Sequence, residues 1–160
     1  MPLVGIVAKN KDIQAIRKEI KRKNIDIIGI TKESIKNLKN IKFEEVIFLQ
    51  NINLTQEEYK YMNEIISKTE YLIFNADIEI DVLKALQIEK TIKLITFGFN
   101  SKSTITISSI KDEKIIVCLQ REIEKKDGKI LESQEKEIIT KDNKKIYNNL
   151  VVFIIKELHN

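Results

Sequence analysis

Two apolar runs in the middle of the chain end in residues able to hold a ligand. Tyr71-Leu72-Ile73-Phe74 stops at Asn75-Ala76-Asp77, and the run over 92–97 stops at Gly98-Phe99-Asn100. In an open α/β sheet, ligands sit beyond the C-terminal ends of parallel strands. Two amides, a carboxylate and a glycine at successive strand ends could therefore line a polar crevice for a small molecule or nucleotide. Other side chains offer less. Ser101, Ser103, Ser108 and Ser109 carry hydroxyls, but none stands in the Gly-x-Ser-x-Gly elbow that exposes a nucleophile. Cys118 lies within the apolar run 115–119 and reads as a buried structural thiol. His159 is the only histidine and stands next to last, where fraying disfavours a catalytic base or metal ligand. Neither a histidine-based triad nor a His/Cys metal site is expected. Glu44-Glu45, and Asp77 with Glu79 and Asp81, could bind a cation, but such runs more often form solvated faces or complement helix dipoles.

The elements that must position these residues follow from composition and patterning. With 160 residues, 42% hydrophobic and 32% charged, the chain has the composition of a soluble globular protein and reads as one domain over 1–160. The net charge of +4 comes from 28 basic and 24 acidic residues interleaved along the chain, so a solvated lysine surface is expected rather than a nucleic-acid footprint. A lone cysteine excludes an internal disulfide. No apolar stretch approaches the roughly 20 residues that span a bilayer, and the N-terminal run over 3–8 lacks the flanks of a signal peptide. The expectation is a cytoplasmic protein without membrane contact.

Short Val/Ile-rich runs over 3–8, 25–30, 46–49, 71–74 and 92–97 predict strands. Between them, Ile13, Ile16 and Ile20 at helical spacing predict a helix over 12–23 with Asp12 as its N-cap. A short helix is expected from Thr31 or Lys32 to Leu38. Thr55-Gln56-Glu57-Glu58 is a capping-box pattern that opens a helix over 56–67, and another is expected near 80–86. This alternation implies a parallel sheet of about five strands with right-handed crossovers. The pattern then changes. Alternating residues at 104–108, a strand at 114–120, the Asp127-Gly128 hairpin signal and a strand at 137–140 predict an antiparallel extension. A closing helix over 143–158 carries Ile146, Leu150, Phe153, Ile154 and Leu158 on one face. The fold class is α/β: three layers, a mainly parallel P-loop-like or Rossmann-like sheet flanked by helices, with an antiparallel β extension and a C-terminal helix.

Read in order, these pieces resemble the central ATP-binding domain of the Mur ligases, which folylpolyglutamate synthases share. Asn75-Ala76-Asp77-Ile78 resembles that family's Asn-x-Asp-Asp strand end, and Thr96-Phe97-Gly98 its Thr-Tyr/Phe-Gly strand end. Tyr147-Asn148-Asn149-Leu150 places Asn148 or Asn149 near the family's adenine-contacting Asn, although Lys144 and Lys145 stand where its approach loop should be. Where the family has a Gly-Thr-x-Gly-Lys-Thr phosphate loop, this chain has Ala8-Lys9-Asn10-Lys11-Asp12. Asn10 and Lys11 stand as remnants, both glycines are missing, and Asp12 replaces the hydroxyl that would hold magnesium. A carboxylate at that helix start repels a triphosphate. Leu49-Gln50-Asn51-Ile52-Asn53 retains the family's Asn-Ile but not its Asp-His. Asn63 stands four residues after Tyr59, in place of the lysine that is carbamylated to hold a second magnesium.

The resemblance implies retained architecture without phosphoryl chemistry, since phosphoryl transfer depends on positioning and charge neutralisation that these losses remove. The expected role is a non-catalytic Mur-ligase-like domain for binding or assembly, with no cofactor, no ATP-Mg and no metal, and a protein partner or a second copy as partner. The alternative is a small-molecule or nucleotide binder whose crevice is lined by Asn75, Asp77, Gly98, Asn100 and Asn149. Nucleic-acid binding through lysines is the remaining, less favoured reading.

Overall fold

The computed structural model describes residues 1–21, 24–86, 88–140 and 145–160. The five predicted Val/Ile-rich runs form β1 (Leu3–Val7), β2 (Asp26–Gly29), β3 (Glu45–Phe48), β4 (Tyr71–Asn75) and β5 (Lys93–Phe97). They pair in parallel in the order β2-β1-β3-β4-β5. Every residue of β3 is buried, as expected of a central strand covered on both faces.

The predicted extension continues this sheet. β6 (Ile105–Lys111) joins β5 in parallel through Phe97 and Ile105, and β7 (Lys114–Leu119) then runs antiparallel to β6. The hairpin at Asp127-Gly128 joins β8 (Ile123–Glu124) and β9 (Ile130–Leu131), which form a small separate pair. β10 (Gln134–Ile139) closes the far edge against β7, giving an eight-stranded sheet ordered β10-β7-β6-β5-β4-β3-β1-β2.

Helices cover the sheet on both sides. α1 (Asn10–Ile20) and α5 (Ile146–Leu158) lie on one face, while α2 (Ile35–Leu38), α3 (Gln56–Ser67) and α4 (Asp81–Ala85) lie on the other. Side-chain alternation along each strand divides the apolar residues between two cores. Ile47, Tyr71 and Ile73 pack with Ile13 and Ile16 of α1 and Leu150, Val151 and Ile154 of α5. Val46, Phe48 and Leu72 pack with Ile35, Met62, Ile65 and Val82 from the opposite helices. α3 begins with the predicted capping box: Glu58 N–H donates to Thr55 Oγ1 at 3.2 Å, and Thr55 N–H donates to Glu58 Oε1 at 2.9 Å. No helix among the described residues is long and apolar enough to cross a membrane.

The fold corrects four local expectations. Asp12 is not the N-cap of α1; the helix starts earlier, with Lys9 at the cap position, because only Ala8 and Lys9 separate it from β1. α2 starts at Ile35 rather than at Thr31 or Lys32, because Thr31 and Ser34 bond one another's side chains and backbone in a turn before it. Cys118 is half-buried rather than buried, since alternation turns it away from the core that takes Val117 and Leu119. His159 is not frayed: its side chain is only 8% exposed and it bonds Glu45 of β3. The expected ends of the first and last helices at Lys23 and Asn143, and the position of Lys144, lie outside the described residues.

Candidate functional site

The sheet reverses its winding between β1 and β3, the place where a doubly wound α/β sheet opens a crevice. Three polar side chains bridge that opening. Gln50, just beyond β3, accepts the Lys9 N–H on Oε1 at 2.7 Å and donates from Nε2 to Asp12 Oδ2 at 3.0 Å. Asn148, in the first turn of α5, donates to Asp12 Oδ1 at 3.1 Å. Asp12 thus brings a carboxylate to the first turn of α1, where backbone N–H groups and the helix dipole favour negative charge. Both of its oxygens are engaged by neutral amides. Beside this bridge a cavity of about 320 Å³ is lined by Asp12, Gln50, Asn75, Lys145, Tyr147 and Asn148, with Leu49, Ile78 and Ile146 as apolar walls.

The two strand ends next to it are tied to each other. Asp77 accepts the N–H groups of Phe99 on Oδ2 at 2.6 Å and of Asn100 on Oδ1 at 2.8 Å. Tyr147 OH donates to Asp77 Oδ2 at 2.8 Å, linking α5 to the same carboxylate. Successive backbone N–H groups form an anion-binding concavity, and here the chain supplies the anion itself. Gly98 permits the close approach: its φ is +141°, and a Cβ there would lie 2.6 Å from Asp77 Cγ. Asn75 is buried and structural; its Oδ1 accepts the Asp77 N–H at 2.9 Å in an Asx turn. Asn100 does likewise for Lys102 N–H at 2.9 Å.

Burial, with help from the Asp77 hydrogen bond, pushes the Tyr147 hydroxyl up from 10.0 to about 12. A group whose pKa is higher in the folded state lends stability below its unfolded value and loses it as pH rises through the folded one. The Tyr147 contribution is therefore whole below pH 10 and disappears toward pH 12. Tyr147→Phe is expected to lower stability at neutral pH by about 1 kcal/mol. Urea unfolding across that alkaline range should show a shallower pH dependence in the variant.

Asn75, Asp77, Gly98 and Asn100 thus come together, while the other expected residues do not join them. Asn10 and Lys11 are exposed in the first turn of α1. Asn149 lines a separate groove between α1, α5 and β10, and Asn148 takes the place beside Asp12. Asn51 caps α4: its Oδ1 accepts Asp81 N–H at 3.1 Å and its Nδ2 donates to Asp81 Oδ2 at 3.0 Å. The acidic runs are dispersed, with Glu79 paired to Lys84, Asp81 to Asn51, and Glu44 to Lys126. Among the described residues no group of three or more His, Cys, Asp or Glu could hold a metal ion. Gln50 and Tyr147 were not singled out as ligand residues from sequence. The signal for Gln50 was its place just after the third strand, which becomes informative once the switch point is known.

The fold and the crevice define a doubly wound α/β domain whose strand-end polar groups are largely engaged with one another. No family model matches the chain, and no curated protein matches it.

Proposed function

We propose that the chain is a non-catalytic relative of the Mur-ligase central domain, a cytoplasmic binding or assembly module that does not use ATP. The observation that carries this reading is the Asp12 carboxylate, held by Gln50 and Asn148 at the opening of α1. A triphosphate would have to displace that anion from a connection of only Ala8 and Lys9. The family's loop instead offers glycines whose N–H groups wrap the phosphates. The likeness to the family is supported by Asn75-Ala76-Asp77 and Thr96-Phe97-Gly98, which lie side by side at the ends of β4 and β5. With its own carboxylates on the available donors, the strand-end pole is arranged for rigidity rather than for phosphoryl transfer.

A second reading rests on the cavity of about 320 Å³, which falls within the range of small-molecule sites. Calorimetric titration with ATP-Mg distinguishes the two. The first reading expects no saturation up to about 1 mM, a limit of roughly −4 kcal/mol in binding free energy. A saturable isotherm without turnover would favour the crevice as a nucleotide site. Low-micromolar binding with amino-acid-dependent release of phosphate would overturn the non-catalytic assignment.

A further inference from the structure

The opposite pole of the sheet holds a buried acid–base pair that the crevice does not use. Glu45, the first residue of β3, is fully buried on the face covered by α5. Its Oε1 meets His159 Nε2, and its Oε2 has no hydrogen-bond partner among the described residues. His159 is the C-cap of α5, where the helix dipole favours a positive charge. The same helix end is held by backbone: Lys126 N–H donates to Leu158 O at 3.2 Å, and His159 N–H donates to Ile155 O at 3.2 Å.

We propose that His159 and Glu45 form a proton-dependent latch that seats the last turn of α5 on β3 while the pair holds a single proton. With one proton the pair is either imidazolium–carboxylate or imidazole–carboxylic acid, and both forms are neutral overall and hydrogen-bonded. Removing that proton leaves a carboxylate in the core with one oxygen already unpaired. Adding a second leaves a buried imidazolium without a counter-ion. Either change places an uncompensated charge where water is excluded, which is costly unless the structure opens. Burial pushes the Glu45 carboxyl above its usual range despite the imidazole beside it.

The surroundings do not replace the missing partner. Glu44, just before β3, opposes the ionisation of Glu45, while Lys126 from the β8–β9 turn favours it. The Lys126 ammonium is already shared between Glu44 and Glu70. Lys93 is engaged with Glu70 at 3.3 Å and Glu124 at 3.4 Å. Tyr71 turns its hydroxyl to the Glu124 carbonyl at 2.5 Å, and its ring lies under Lys93 and Lys126. Asp127 adds negative charge near Tyr71. At the other end α5 is tied independently through Tyr147 and Asn148, so the latch controls its last turn rather than the whole helix.

Amide hydrogen exchange read by NMR from about pH 5 to about pH 9 tests the latch in the unmodified protein. After correction for intrinsic rates, protection at residues 155–159 should pass through a maximum and fall about tenfold on the alkaline side, while residues 148–151 keep theirs. His159→Gln should flatten the profile at 155–159. Glu45→Gln, a neutral isostere that cannot hold or release the shared proton, should flatten the same profile. A flat profile in the unmodified protein, or a pH-dependent profile that survives unchanged in Glu45→Gln, would overturn the proposal.

Discussion

Gly98→Ala is expected to lower folding stability by about 3–4 kcal/mol, more than any other single methyl addition at the strand-end pole. Two costs combine. The backbone at φ +141° lies in a region that side-chain-bearing residues rarely adopt, and strain of that kind costs about 1–3 kcal/mol. The added Cβ would also lie 2.6 Å from both Cγ and Oδ2 of Asp77 and 2.7 Å from Oδ1. The carboxylate must retreat, which releases the N–H groups of Phe99 and Asn100 and the hydroxyl of Tyr147. Each lost bond removes about 1 kcal/mol. The damage reaches the topology, because Gly98 N–H also donates to Ile105 O at 3.1 Å and helps start β6 beside β5. Urea unfolding should show a lower midpoint at unchanged slope, and Tm should fall by roughly 6–16 °C. A change below about 0.5 kcal/mol would mean that Asp77 does not occupy the concavity of this loop.

The elements were largely legible in the sequence because the strands are short β-branched runs and the helices show apolar residues at three- and four-residue spacing. Ile13, Ile16 and Ile20 all lie buried on α1, and Thr55 with Glu58 forms the capping box of α3. The order of the strands was not legible. A run such as Ile27-Ile28 reads as a buried strand whether it lies at the centre or, as here, on the edge beyond β1. That choice places the switch point between β1 and β3, one strand away from the paired ends of β4 and β5 that stand out by residue type. The extension is antiparallel within itself, as expected, while β6 meets β5 in parallel through Phe97 and Ile105 before the direction reverses at β7. Local alternation carries no information on the direction of a neighbouring strand.

The site was legible in residue type and less so in role. Asn75, Asp77, Gly98 and Asn100 do converge, but on one another. Sequence shows that a carboxylate and a glycine lie 21 positions apart, not that one fills the space the other leaves. Asp12 shows the same difficulty in a helix: three residues of register separate an N-cap from a first-turn residue whose side chain can meet Gln50 and Asn148. For His159, position in the sequence alone points to fraying. A next-to-last residue is mobile only when nothing holds it, and the core-facing Leu158 together with a buried Glu45 holds this one.

Asp77→Ala is the complementary test, and its coupling to Gly98 makes it more informative than its own cost. Alone it should lower stability by about 2–3 kcal/mol, less than the sum of three hydrogen bonds, because water can reach the exposed N–H groups of Phe99 and Asn100. With the carboxylate gone, the space beside Gly98 is open, so Gly98→Ala in that background should pay only its backbone strain, about 1–2 kcal/mol. The double-mutant cycle should therefore show a coupling of about 2 kcal/mol, as expected of residues in direct contact rather than of independent sites. The same substitution removes both the hydrogen bond and the charge by which Asp77 raises Tyr147, leaving burial. Its hydroxyl should then ionise below about 12 while staying above 10.0, since burial, the larger cause, persists. Ultraviolet difference titration of the folded protein reads that displacement directly. Additive stability losses together with an unmoved Tyr147 would show that the two strand ends are held by something other than the Asp77 carboxylate. The pole would then be open to an external anion, and the argument against nucleotide binding would rest on Asp12 alone.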